Sequence, residues 1–146
     1  MSDSALPDSL AEIREDFLAL PEPERLQLLL EFSQDLPAVP AEFENHPELC
    51  ERVVECQSPV YIVVDVSADG IVAMHATAPA EAPTTRGFAS ILVQGLTGLT
   101  VDEALSVPDD YPQSIGLTRA VSPLRIAGMT GMLLRAKRQV RAKQPV

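Results

Sequence analysis

Two cysteines in 146 residues are too few for a disulfide framework in a domain of this size, and so low a count points to free thiols in a reducing compartment. Apolar runs fall short of the roughly 20 residues that a membrane-spanning helix needs. The opening MSDSALPDSL is acidic and polar where a secretory leader would be basic and then apolar. No internal repeat is visible, and neither a C-x2-C nor an H-x3-H pair occurs, which removes the paired ligands on which zinc motifs are built. These absences lead us to expect a cytoplasmic protein with no membrane partner.

Charge of one sign is also missing locally. Residues 1–56 carry 14 acids against 3 bases, and residues 119–146 carry 7 bases and no acid, within a net charge of −10. The acidic whole argues against nucleic acid as a partner. The basic end reads first as a solvated helix whose cations sit at the negative end of the helix dipole, and second as a surface for an acidic partner. With 46% hydrophobic and 22% charged residues, the composition is globular, and residues 1–146 fit one domain.

In PDSLAEIREDFLAL, Asp8 or Ser9 is a candidate N-cap, and Leu10, Ile13, Phe17 and Leu20 recur at helical spacing. Pro23 is placed to open a second helix, in which Leu26, Leu28, Leu29, Leu30, Phe32 and Leu36 cover more than half of the circumference. A helix of that pattern should be well buried. PAVPAEFENHP reads as a loop, VYIVVDV and IVAMHA as a hairpin across SADG, and Leu49 to Val54 as a third strand. After the proline-punctuated TAPAEAPTT, the run RGFASILVQGLTGLT suits a buried helix, and Thr100 sets up a short one with Asp102 and Glu103 in its first turn. Ser122 and Pro123 open the last helix, along which Ile126, Met129, Leu133, Ala136 and Val140 form a core stripe. The expected fold is α+β: a small three-stranded antiparallel sheet with helices packed on one face.

Little catalytic chemistry stands out. Cys56 could pair with His46 or His75 as an activated nucleophile, but no spacing brings them together. His46, Cys50, Cys56 and His75 are all the histidines and cysteines present, and a Cys2His2 metal site would have to draw them from a loop, a strand edge and a hairpin; no metal is expected. Two readings of Cys56 stay open: a buried inert thiol, and a reactive one on a turn before the strand that Pro59 begins. In the second, Glu51 and Glu55 would suppress the thiolate, and a compensating cation would have to come from elsewhere in the fold, with Arg125 and Arg86 as candidates, or from a partner.

Across nearly the whole chain, ERVVECQSPVYIVV, TTRGFASILVQGLTGLT and VSPLRIAGMTGMLLRAKRQVRA resemble the SufE/CsdE family, the sulfur-accepting partners of cysteine desulfurases in iron–sulfur cluster assembly. The family pattern before its persulfide-carrying cysteine is close to N-x-V-x-G-C-Q-S, matched here by Glu51, Val53, Glu55, Cys56, Gln57 and Ser58. Glu51 and Glu55 depart from it, standing where asparagine and glycine are usual, and the Gly-Asp-Ser-Asp stretch usual before Arg86 and Gly87 is replaced by TAPAEAP. Pro123, Arg125 and Gly128 match Ser-Pro-Ser-Arg-x-x-Gly, with Leu124 departing.

The resemblance implies a SufE/IscU-like fold and an accessory protein rather than an enzyme. Cys56 would take sulfur from a pyridoxal-phosphate desulfurase of the SufS or CsdA type, stimulating it, and pass it to a SufBCD-type scaffold, with Arg125 as a thiolate stabiliser and Gln57, Ser58 and Arg86 in support. No cofactor of its own is implied, since the pyridoxal phosphate resides on the desulfurase. An IscU-like scaffold that binds metal or cluster is the alternative. Cys50 is expected to be a core filler, or else a resolving thiol for Cys56.

Overall fold

The hairpin forms where the β-branched residues dictate. In the computed structural model, which describes residues 6–145, β2 (Tyr61–Val66) and β3 (Val72–Thr77) pair antiparallel with Ile62 opposite Ala76, Val64 opposite Met74 and Val66 opposite Val72. Strand side chains alternate between faces, so those six residues share the face turned to the core, while Tyr61, His75 and Thr77 share the other. The third strand, β1 (Glu51–Arg52), joins the edge of β2, giving the order β1-β2-β3.

That strand is shorter than the expected Leu49 to Val54. Proline fixes its own φ and has no N–H to give a ladder, and Pro47 opens a 3-10 turn that runs to Leu49. At the other end Cys56 N donates to Val53 O at 3.1 Å, which turns the chain out of the sheet. Val64 thus extends past the end of β1. Its backbone groups are taken up from elsewhere: Val64 N donates to Gln139 Oε1 at 2.8 Å, and Lys143 Nζ donates to Val64 O at 2.5 Å.

Both of those side chains belong to the last helix. The helices are α1 (Asp8–Ala19), α2 (Glu22–Gln34), α3 (Pro83–Leu96), α4 (Val101–Leu105), α5 (Tyr111–Ser114) and α6 (Pro123–Lys143). Of these, α3 packs on β3 and α6 on β2, with α1 and α2 outside α3. One hydrophobic cluster runs through them, and the α+β architecture is as expected. The stripe Ile126, Met129, Leu133, Ala136 and Val140 is buried throughout. Ser122 caps α6, and Thr100 with Glu103 forms a reciprocal capping box on α4.

Two further expectations need correction, and one element is additional. The N-cap of α1 is Pro7, with Asp8 inside the first turn, where its charge suits the dipole; Ser9 Oγ donates instead to Gly95 O at 2.7 Å. Within α2 only Leu29 and Ser33 are buried, and Leu26 is 38% exposed, because an outer-layer helix covers its neighbour with a single stripe. The short α5 was not anticipated. It is anchored by Tyr111, a buried side chain whose hydroxyl donates to Leu10 O at 2.8 Å, and whose ionisation burial pushes well above the usual tyrosine range.

Candidate functional site: the Cys56 cavity

The hairpin between β1 and β2 is closed by a 2.9 Å bond from Val53 N to Val60 O. The loop above that bond carries Cys56 inward, leaving it 7% exposed, while its neighbour Val54 is 70% exposed. What receives the thiol is the backbone of α6: a methyl group at position 128 would stand 2.9 Å from Cys56 Sγ, closer than carbon and sulfur pack. Glycine at 128 therefore lets the thiol lie directly on the helix.

One turn further along α6 the same device recurs. A methyl at position 131 would stand 2.8 Å from the Glu55 carboxylate, so that carboxylate also lies on bare helix backbone. Arg135 Nη1 meets Glu55 Oε1 at 2.6 Å, and Arg135 Nε approaches Glu51 Oε2 at 3.4 Å. Glu51 further accepts from Arg138 and, at 3.0 Å, from Gln139 Nε2. Positions 128, 131, 135, 138 and 139 lie on one face by the i, i+3, i+4 rule. α6 thus carries two stripes, one apolar toward the core and one toward the cysteine loop.

The thiol borders a cavity of about 410 Å3 lined by Glu55, Cys56, Gln57 and Ser58 from the loop, Glu81 to Pro83 and Thr85 at the start of α3, and Ser122, Leu124, Arg125 and Gly128 at the start of α6. Two helix N-termini open on it, and such ends carry N–H groups without intrahelical acceptors and a partial positive charge. Against this, burial pushes the Cys56 thiol above its ordinary pKa, the Glu55 carboxylate adds to the rise, and Arg135 and Arg52 oppose it. The resting thiol therefore holds its proton more firmly than an ordinary cysteine does.

Of the residues singled out from sequence, Cys56, Gln57, Ser58 and Arg125 come together here. Arg125 is exposed at the mouth, but the cation acting on the resting thiol is first Arg135 and then Arg52. Arg86 does not line the cavity; its guanidinium donates to Ser33 O at 2.8 Å and Ala78 O at 2.7 Å, tying the start of α3 to the end of α2. Gly131, Arg135 and Arg138 were missed. Their signal was the second i, i+3, i+4 stripe of α6, masked by reading its bases as a solvated terminus.

Cys50 and the histidines lie apart. Cys50 is half-buried rather than a core residue, and it lines a second cavity on the outer face of the sheet with Phe43, His46, Tyr61 and Thr77. His75 packs against Phe43 with ring centroids 5.8 Å apart and planes tilted by 34°, and His46 pairs with Glu48 at 2.9 Å. Among the described residues no three His, Cys, Asp or Glu side chains are grouped to hold a metal. No helix among them is long and apolar enough to cross a membrane.

Known proteins resemble this chain in sequence and fold. Residues 11–140 match the family model SufE, described as an Fe-S metabolism associated domain. A SufE-like protein of Mycobacterium tuberculosis is 46% identical over 138 residues, 94% of this chain and 95% of the relative. One of Synechocystis is 31% identical, covering 88% of this chain and 77% of the relative. The solution structure of a hypothetical protein from Thermus thermophilus superimposes with a TM-score of 0.82 at 37% identity, covering 94% of this chain and 97% of that one. The chain belongs to the SufE family of iron–sulfur metabolism proteins.

Proposed function

We propose that this protein is a sulfur acceptor and carrier, an accessory to a pyridoxal-phosphate cysteine desulfurase. The desulfurase would be of the SufS or CsdA type and the recipient an iron–sulfur scaffold of the SufBCD type, all in the cytoplasm. The observation that carries the reading is the placement of one thiol, Cys56, beside a cavity on which the first turns of α3 and α6 converge.

Cys56 loses its proton and attacks the outer sulfur of the desulfurase persulfide. A sulfur–sulfur bond forms at Cys56, the bond to the desulfurase cysteine breaks, and that cysteine leaves as a thiolate that takes up a proton. No oxidant or reductant is consumed, and the step needs only a thiolate, access and orientation. Relieved of its persulfide, the desulfurase is free to turn over again. A second exchange of the same kind hands the sulfur to the scaffold. The helix N-termini favour the anionic persulfide, Arg125 at the mouth adds a cation for it, Gln57 and Ser58 shape the wall, and Arg86 fixes the start of α3.

An IscU-like scaffold function would need ligands converging on one metal or cluster, whereas Cys50 and His46 border one cavity and Cys56 another. To test the carrier function, the protein is incubated with a cysteine desulfurase and cysteine and its intact mass is measured. One added sulfur, removable by dithiothreitol and mapped to the Cys56 peptide, is expected. An unmodified Cys56 peptide under conditions where the desulfurase turns over would sink the proposal.

A further inference from the structure

We propose that Arg135 is a positioning residue which, through Glu51 and Glu55, clasps the Cys56 loop onto α6 and sets how often the thiol is exposed. Its purpose rests on the sulfur-carrier reading; its geometry does not. Glu55 immediately precedes Cys56, and Glu51 lies in β1 at the loop's entry. One guanidinium reaches both, at 2.6 Å and 3.4 Å, and its Nη1 also donates to Gly131 O at 3.2 Å. Arg135 is itself only 17% exposed, against 40% for Glu55, so the pair at the thiol is shielded from solvent more than a surface ion pair is.

Val53 and Val60, whose bond forms the base of the loop, are buried, but between them Cys56 alone is buried, and Val54, Gln57 and Pro59 are exposed. A segment with few buried contacts opens at low free energy, so a paired carboxylate next to the thiol weighs heavily in keeping it shut. Arg135 acts on Cys56 in two opposed ways. As a cation it favours the thiolate, and as a clasp it hides the sulfur.

Alkylation by neutral iodoacetamide separates the two. Rates at Cys56 and Cys50 are read peptide by peptide across pH; the plateau at high pH reports access and the midpoint reports ionisation. Arg135→Gln should raise the Cys56 plateau by about fivefold, the worth of one modest ion pair, while moving its midpoint up. Glu55→Gln should also raise the plateau but move the midpoint down. Added salt should raise the wild-type plateau and leave that of Arg135→Gln nearly flat. The Cys50 rate and the thermal midpoint of unfolding should stay close to wild type.

A plateau unchanged in both variants would overturn the clasp, leaving Arg135 a purely electrostatic neighbour. A plateau that rises equally at Cys50 would overturn it as general loosening. Neither reading involves sulfur uptake. A protein that shows the clasp yet takes no sulfur refutes the carrier function alone, and one that takes sulfur with unchanged plateaus refutes the clasp alone.

Discussion

Cys50 and Cys56 stand on either side of the two-residue strand β1, and the chain delivers them to different surroundings. Cys50 follows a 3-10 turn, half-buried against Tyr61 and Thr77 on the outer face of the sheet. Cys56 follows a tight turn and lies on the backbone of α6, beside the cavity at the start of two helices. Burial raises the pKa of both thiols. What separates them is therefore not intrinsic acidity but what lies next to the sulfur. Cys50 has the Glu48 carboxylate and the smaller opposing influence of Lys143, whereas Cys56 has glycine backbone, a carboxylate paired with Arg135 and helix N-termini.

The strongest way to break that contrast is to remove each sulfur in turn. Cys56→Ser is expected to fold and to accept no sulfur from a desulfurase, whereas Cys50→Ala keeps uptake and loses on the order of 1 kcal/mol of stability, a typical value for a small half-buried side chain. Mass spectrometry and denaturant unfolding read the two halves, and equal sulfur loading of both variants would erase the distinction.

A smaller effect is expected at the seat of the thiol. Gly128→Ala forces Sγ away from α6, since 2.9 Å is too close for contact. Strain from such overpacking is about 1–3 kcal/mol, and alanine returns about 0.5–1 kcal/mol of helix propensity. Stability should fall little, while Cys56 alkylation accelerates by about tenfold and Cys50 alkylation does not change. Equal rates at Cys56 in variant and wild type would show that the glycine does not seat the thiol.

The finest distinction is in pH. Because the folded Cys56 pKa is raised, the neutral thiol stabilises the native state below the unfolded value of about 8.5, and that contribution is lost as pH rises through the folded pKa. Wild type should lose more stability on the alkaline side than Cys56→Ser. Within alkylation profiles, Arg52→Gln should move the Cys56 midpoint up and leave Cys50 in place, and Lys143→Gln should move Cys50 up and leave Cys56 in place. Midpoints that move together would mean that the two thiols share one electrostatic environment.

Much of this was legible wherever the determining chemistry is local. The hairpin followed from β-branched residues around a glycine turn, α4 from Thr100 and Glu103, and α6 from Ser122, Pro123 and an apolar stripe. Cys56 itself was marked by its position in the loop and by resemblance. What could not be read was pairing at a distance. Glu51 and Glu55 look like a liability beside a thiol until Arg135 and Arg138, more than 75 residues later, are folded against them. Periodicity states that α6 has two faces, not which element meets the second. Leu26 misled for the related reason that apolar residues around a helix do not say how many neighbours it has.

The meeting of Gln139 and Lys143 with Val64 reaches beyond the proposed sulfur chemistry, to how copies of the molecule treat one another. An unpaired stretch of strand is a template for a second chain, and proteins that leave one open are prone to self-association. Here β1 stops short, and two side chains of α6 occupy the N–H and C=O that another copy would otherwise find. Both are polar and one is charged, so each stays well solvated if the helix end frays. The double substitution Gln139→Ala with Lys143→Ala leaves the sheet intact but uncovers that edge. Sedimentation over a range of concentrations should then show association beyond that of the wild type, and an unchanged distribution would mean that the edge is guarded by something else.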